Sequence, residues 1–376
     1  MATAQKNFHD PFDNYIRTLP EPNRDIQTRR VNINSGTVAS VKNLTHDTYK
    51  LVIKCDKGGM ALGGVAGQYG TIKVPGVKKP RSYSFAKAPE NEKPGEHTFY
   101  IRIVSGGKLS AWLEKGDKRV GEKVELSGPM GNFRLDDSND TMICIAGGSG
   151  MSAIAAIVEH AANLGVARDC YFFYGARTQK DLYCQDVMKS VASKWNKANK
   201  FEFIPVLSEE PDSSDWKGPR GFVTEHFKGD YLDSNKISVN GIKAFFCGPP
   251  PMIDHGVKVL MDAGLADENI YFDKFEDARS PAPVVDNTKC VLCDECLMVK
   301  PIPNCLVEAT NFQTNGNGEV TKFERVNPAH TSGLYYNSLF IDENECIRCY
   351  ACVDACPHDA ISADYSKVPK TLRKFS

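Results

Sequence analysis

Eight of the chain's thirteen cysteines fall between Cys290 and Cys356. Four of them, Cys346, Cys349, Cys352 and Cys356, precede Pro357 and spell C-x2-C-x2-C-x3-C-P, the spacing of a bacterial iron–sulfur run. The geometry suits that use. Three thiolates two residues apart can wrap one face of a cubane, and the fourth, beside a proline that turns the chain away, is free to reach another cluster. Tetrahedral zinc is the alternative, although zinc sites usually pair two C-x2-C units or add histidine. The first half, Cys290, Cys293, Cys296 and Cys305, keeps the triplet but places eight residues before its fourth cysteine, and Leu306 follows in place of proline. It still supplies a complete second set of four ligands. Two clusters suit a relay of electrons more than a catalyst. Cys55, Cys144, Cys170, Cys184 and Cys247 are scattered. The N-terminus lacks the apolar core of a signal peptide, so a secreted disulfide framework is not expected and a cytoplasmic metal protein is.

A second kind of chemistry is written in glycines. Gly147-Gly148-Ser149-Gly150 follows an apolar run and opens an apolar helical pattern. Such a turn lets backbone N–H groups approach a pyrophosphate at a helix N-terminus. It is not the G-x-G-x-x-G form, and a tight strand-to-helix turn with no ligand is the other reading.

These residues need elements to position them. Residues 1–32 are polar, carry Pro11, Pro20 and Pro22, and read as an arm. Residues 33–137 hold short β-patterned runs (GTVASV, TYKLVIKC, YGTIKV, HTFYIRIV) between Gly- and Pro-containing turns, which predicts an antiparallel β-barrel or sandwich. Residues 138–277 alternate strand-like TMICIAG, CYFFYGA, FEFIPVL and KAFFCG with helix-like stretches. That alternation predicts an α/β domain with a parallel sheet. A Pro-containing linker is expected over 278–287. An α+β cysteine domain is expected over 288–376, with a polar insertion, Asn311 to Ser338, between its halves and a basic, solvated tail.

The motifs within this frame carry a resemblance. Gly67-Gln68-Tyr69, Arg81-Ser82-Tyr83-Ser84, Gly106-Gly107-Lys108-Leu109-Ser110 and Gly128-Pro129-Met130-Gly131-Asn132-Phe133 resemble the flavin-binding segments of the ferredoxin–NADP reductase superfamily. The glycine turn, Tyr174-Gly175-Ala176-Arg177 and Cys247-Gly248-Pro249-Pro250-Pro251-Met252 resemble its nucleotide-binding segments. The run Asn269 to Phe275 is similar to the ending of oxygenase reductases and of the flavin subunit of sodium-pumping NADH:quinone reductase. The resemblance implies that Tyr83 packs on the flavin ring, that Ser84 hydrogen-bonds its reactive edge, and that Arg81 meets its pyrophosphate. It also implies that Gly106 to Ser110 meet flavin phosphates, that Cys247 sits near the hydride path, with Gly248, Pro249 and Pro250 around the nicotinamide, and that Phe275 stacks on the flavin. The cysteine half resembles two-cluster bacterial ferredoxins. Their crossed ligation would give Cys290, Cys293, Cys296 and Cys356 one [4Fe–4S] cluster and Cys346, Cys349, Cys352 and Cys305 the other.

The expected activity is therefore NAD(P)H-dependent electron transfer through a flavin to two clusters and on to a partner redox protein. An oxygenase is the first candidate acceptor. An anaerobic reductase, a hydrogenase or a quinone-linked complex is the alternative. FAD is expected over FMN because the Gly106 to Ser110 segment leaves room for a second phosphate. NADH is expected over NADPH because Ser208-Glu209-Glu210-Pro211-Asp212, after the strand FEFIPVL, would repel a 2′-phosphate, while Arg177 is the counterweight. With 46 basic and 47 acidic residues, nothing suggests nucleic acid, and no run reads as a transmembrane segment.

Overall fold

The computed structural model describes residues 32–56, 64–274, 282–302, 305–314, 320–325, 338–343 and 345–363. The expected N-terminal arm, the basic tail and Phe275 lie outside the described residues. Contacts divide the chain into two compact units, one being Asn32–Glu276 and the other containing Asp277–Ser376.

The first unit opens with β1 (Asn32–Asn43), β2 (Thr48–Cys55), β3 (Tyr69–Lys73), β4 (Arg81–Ser84), β5 (Glu96–Arg102) and β6 (Lys123–Met130). They pair antiparallel in the order β4-β3-β6-β1-β2-β5. An antiparallel bridge between Phe85 and Phe99 brings the two edges together, so the sheet curls toward closure. Leu51, Ile53, Ile72, Phe99, Ile101 and Leu126 form its inner core. The short helix α1 (Lys108–Leu113) adds Leu109, Trp112 and Leu113 to it.

The same unit continues with β7 (Thr141–Gly147), α2 (Met151–Leu164), β8 (Cys170–Ala176), α3 (Gln185–Lys194), β9 (Phe201–Leu207), α4 (Val223–Phe227), β10 (Ile242–Gly248), α5 (Pro250–Asp262) and β11 (Ile270–Lys274). The strands are parallel in the order β11-β10-β7-β8-β9. They are almost continuously apolar because helices cover both faces. Alanine-rich α2 lies buried along most of its length and stops at Gly165, whose left-handed φ of 66° ends the helix. Proline at the first turn of α5 is preset for a helix start. Between β8 and β9 the helix starts late. Thr178 and Asp181 close a capping box around a single 3-10 turn, and α3 starts only at Gln185.

Chain order around β7 decides where a ligand can go. From β7 the chain moves to β8 on one side, while β10 lies on the other. Connections therefore diverge beyond the carboxyl end of β7, which opens a crevice at that edge. Gly147 to Gly150 sit there.

The second unit contains β12 (Val284–Val285), α6 (Glu295–Met298), β13 (Leu306–Thr314), β14 (Val320–Arg325), β15 (Ser338–Ile341), α7 (Ala351–Asp354) and β16 (Ile361–Ser362). β12 pairs with β16, and β14-β13-β15 form a three-stranded sheet. The polar insertion thus contributes the second strand of a β13–β14 hairpin. Part of the expected linker belongs to the fold of this unit: Ala282 and Val285 are buried in its core with Leu306, Leu339 and Ile361. The two halves repeat one backbone trace. Leu292 and Asp294, two and four residues after Cys290, have positive φ, and so have Arg348 and Tyr350 after Cys346.

Candidate functional site

A cleft of about 460 Å³ opens at the carboxyl edge of the parallel sheet. Its floor is Gly147 and Gly148, with Gly175, Ala176 and Arg177 from the end of β8 and Ser208 after β9. Phe222 to Glu225 at the start of α4, and Pro249, Pro251, Met252 and His255 of α5, form one wall. Asp47, Thr48 and Arg102 of the antiparallel sheet form another. Of the residues singled out by sequence, Gly147, Gly148, Arg177 and Pro249 line the cleft. Ser149, Gly150, Gly248, Pro250 and Glu209 lie outside its lining.

Gly150 and Gly248 serve by being small. A Cβ on Gly150 would lie 2.0 Å from the Cys247 carbonyl oxygen, so only glycine lets α2 start against β10. Gly248 has φ of 144°, and a Cβ there would meet the Gly147 backbone at 2.8 Å. The turn is also held from behind. The hydroxyls of Tyr183 and Tyr174 donate to the Gly148 carbonyl at 2.9 and 3.4 Å.

A charge cluster closes one side of the cleft. Asp47 Oδ2 accepts from Arg102 Nε at 2.9 Å and from Arg177 Nη2 at 3.0 Å. Its other oxygen accepts from the Thr45 and Thr48 hydroxyls. Arg177 also donates to Asp181 Oδ1 at 2.6 Å. Burial alone would raise the Asp47 and Asp181 carboxyls. Hydrogen bonds outweigh it, chiefly from Arg102 to Asp47 and from the Thr178 backbone and Arg177 to Asp181, and hold both below the usual carboxylate value. Arg177 is therefore already paired with two carboxylates. Glu209 is exposed. Glu210 accepts from the Gln179 backbone N–H and side-chain amide, both at 2.8 Å.

On the flavin-motif side, Arg81 and Ser82 are exposed, Tyr83 is half-buried and Ser84 is buried. Arg81 Nη1 donates to the carbonyls of Lys79 and Pro80. Burial pushes the Tyr83 phenol up. In the next segment Gly106 and Lys108 are exposed and Leu109 is in the core. Gly107 caps α1, and Ser110 Oγ accepts from the Val104 N–H at 2.9 Å.

Ser84 leads to a residue that sequence reading missed. Its Oγ donates to Asp273 Oδ2 at 3.2 Å, and the Cys247 thiol donates to the same oxygen at 3.9 Å. Burial and then the Asp273 charge raise the Cys247 thiol, so it stays protonated and donates. Register explains the meeting. β10 and β11 run parallel with Cys247 opposite Asp273, while Ser84 ends β4. The available signal was an acidic residue directly after the apolar start, Ile270 to Phe272, of the last strand.

In the second unit, Cys290, Cys293, Cys296 and Cys356 line one pocket with Glu295 and His358. Cys305 lies near enough to Cys346 and Cys349 for each thiolate to disfavour the others. Burial and these neighbours push Cys293 and Cys305 to about 11 and Cys349 to about 12. Crowded buried thiols of this kind are the donor set that a cluster's iron stabilises as thiolates. Backbone N–H groups two residues on reach the sulfurs of Cys290, Cys293, Cys346 and Cys349. The positive-φ residues bend the chain around each triplet so that these N–H groups point inward. Ala360 N–H reaches Cys356 Sγ at 3.3 Å.

A curled antiparallel sheet, a parallel sheet with a glycine-floored cleft and a cysteine unit together could hold a flavin, a nicotinamide nucleotide and iron–sulfur ligands. Comparison with known proteins agrees. Residues 35–135 match the oxidoreductase FAD-binding domain, 144–258 the oxidoreductase NAD-binding domain and 339–362 the 4Fe-4S binding domain. The xylene/toluene monooxygenase electron transfer component of Pseudomonas putida is 38% identical over 64% of this chain and 65% of its own. The phenol 2-monooxygenase reductase component of a Pseudomonas strain is 32% identical over 66% and 67%. Among solved structures, the Amycolatopsis cytochrome P450 reductase superposes with a TM-score of 0.58 at 30% identity, covering 66% of this chain and 71% of that one. The chain belongs to this family, the FAD- and NAD-binding oxidoreductases of the ferredoxin-reductase fold. It spans under two thirds of the first relative, 65%, and 58% of the propane 2-monooxygenase reductase component of Mycolicibacterium goodii. No helix among the described residues is long and apolar enough to cross a membrane.

Proposed function

We propose that the chain is the electron-transfer reductase of a multicomponent oxygenase, oxidising NADH and passing single electrons through two [4Fe–4S] clusters to a protein acceptor. One observation carries the reading. Ser84, from the flavin-motif strand, and Cys247, from the nicotinamide-motif strand, meet on the single carboxylate of Asp273. Two half-sites that converge within hydrogen-bond reach are what hydride transfer needs, since the reacting groups must be held close and aligned. Flavin is the group that accepts a two-electron hydride and releases single electrons.

The chain's own residues divide the work. Tyr83 would pack on the flavin ring, Ser84 would face its reactive edge, and Arg81 with the backbone from Gly106 to Ser110 would meet its phosphates. Asp273 keeps Ser84 and the protonated Cys247 oriented at the meeting point. A dinucleotide in the cleft would have Gly147 and Gly148 for its phosphates and exposed Phe222 for its adenine. Arg177, committed to Asp47 and Asp181, is a poor clamp for a further phosphate, which supports NADH over NADPH. Cys290, Cys293, Cys296 and Cys356 ligate one cluster, and Cys305, Cys346, Cys349 and Cys352 the other. The names of the relatives support an oxygenase as acceptor. The eight-cysteine unit favours a second reading, electron input to an anaerobic reductase, a hydrogenase or a quinone-linked complex.

The test is cofactor analysis of anaerobically prepared protein. About eight irons, eight sulfides and one acid-releasable FAD per chain are expected. About two irons would sink the two-cluster reading. A higher kcat/KM with NADPH than with NADH would sink the nucleotide choice. Anaerobic co-purification then asks whether the protein that the reduced chain reduces is an oxygenase.

A further inference from the structure

We propose that Glu225, gripped by His255, is the carboxylate that faces the adenosine ribose and excludes a 2′-phosphate. The proposal rests on the reading of the cleft as an NADH site.

The other acidic candidates are spent elsewhere. Glu210 has both oxygens on Gln179, and Glu209 lies outside the cleft lining. Asp47 and Asp181 lie in the lining, but each already neutralises arginine. Glu225 is different. It lines the cleft at 58% side-chain exposure, and its Oε1 sits 3.0 Å from His255 Nε2. Among the described residues its second oxygen has no hydrogen-bond partner, so it remains able to accept from a ligand.

Position decides what that ligand group is. Phe222 is 73% exposed on the cleft wall and offers an aromatic face on which a base can stack. A base stacked on it places its ribose beside the same wall. Phe222 is the extended residue that caps α4 and Glu225 is the third residue of that helix, so both stand at the same end of α4 on the cleft wall.

His255 fixes the carboxylate. Its Nδ1 is 2.8 Å from the Thr224 hydroxyl and its Nε2 faces Glu225, so one imidazole on α5 ties down two neighbouring residues of α4. A fixed carboxylate accepts hydrogen bonds from ribose 2′- and 3′-hydroxyls without first being ordered. The same fixed charge repels a 2′-phosphate.

The test uses two fragments that differ by one phosphate, 5′-AMP and adenosine 2′,5′-bisphosphate, titrated calorimetrically into the intact chain. Wild type should favour 5′-AMP. Glu225→Gln removes the charge and weakens acceptance from the ribose hydroxyls, so the affinity ratio of bisphosphate to 5′-AMP should rise about fivefold. Glu225→Asp, which keeps the charge, should retain the wild-type preference. His255→Gln should weaken 5′-AMP by freeing the carboxylate. If wild type favours the bisphosphate, the NADH reading itself fails. If wild type favours 5′-AMP and Glu225→Gln leaves the ratio unchanged, the NADH reading stands and the assignment to Glu225 is wrong.

Discussion

Asp136→Asn should be among the most damaging single changes of charge in the reductase unit. Asp136 lies on the connector between β6 and β7, the join between the antiparallel and parallel sheets. Its Oδ1 accepts from Arg168 Nη1 at 2.6 Å, and its carbonyl accepts from Nη2 at 3.2 Å. The Arg168 side chain is wholly buried, and its Nε has no partner, so the carboxylate is its main compensation. Removing one member of a buried pair leaves the other charge uncompensated, at about 3–5 kcal/mol. The double change Asp136→Leu with Arg168→Met removes both charges and should recover most of that loss. Burial alone would raise the Asp136 carboxyl, but hydrogen bonds from Ser138 and Arg168 outweigh it and hold the group below its usual value. The sign follows from linkage. A depressed carboxyl stabilises fully above the unfolded value, about 3.9, and loses that contribution as pH falls through the folded value. The gap between wild type and Asp136→Asn should therefore be widest near neutrality and narrow below about pH 4. Denaturant unfolding read through Trp195 fluorescence is the assay, because its indole N–H donates to the Arg168 carbonyl at 2.9 Å. A midpoint change worth under about 1 kcal/mol at neutral pH, or a double variant no better than the single, would refute the reasoning.

Burial drops His97 from 6.5 to about 4, so stability that is complete above the unfolded value should fall by about 3 kcal/mol as pH drops from about 6.5 to about 4. His97→Gln should flatten that part of the acid-unfolding profile, and an unchanged profile would exclude His97 as its source. Gly150→Ala drives a methyl into the Cys247 carbonyl at 2.0 Å and should cost about 3 kcal/mol or more together with nucleotide binding, whereas a midpoint within about 0.5 kcal/mol of wild type would mean that α2 and β10 separate freely. Cys305→Ser and Cys356→Ser should each perturb a different set of iron–sulfur signals in electron paramagnetic resonance. If both disturb the same set, the crossed assignment is wrong.

Local patterns in the sequence were enough to read the alternation of strands and helices that builds the parallel sheet. Runs such as TMICIAG and KAFFCG are strands because two covered faces demand unbroken apolarity, and Gly147 to Gly150 mark a turn because only small residues fit there. The cysteine triplets are legible for a similar reason, since each is built from neighbours in the chain. What sequence concealed was made by distant pairing. Ser84 and Asp273 are 189 residues apart and Asp47 and Arg177 are 130 apart, so no spacing rule joins them. Glu209 and Glu210 follow a strand end as a nucleotide site would suggest, yet Glu209 is exposed outside the cleft lining and Glu210 is held by Gln179 at a neighbouring turn. Glu225 and His255 lie on separate helices, and only their packing reveals the pair. Ala282 to Val285 read as linker because proline and low periodicity hide two residues that pair with the far end of their unit.

The most direct measurement of the central claim is anaerobic mixing of the fully loaded chain with excess NADH, followed at flavin and iron–sulfur wavelengths. Loss of flavin absorption should be followed by loss of iron–sulfur absorption, with both abolished by Gly150→Ala. Flavin bleaching that leaves the iron–sulfur absorption unchanged under regenerated NADH would contradict the account.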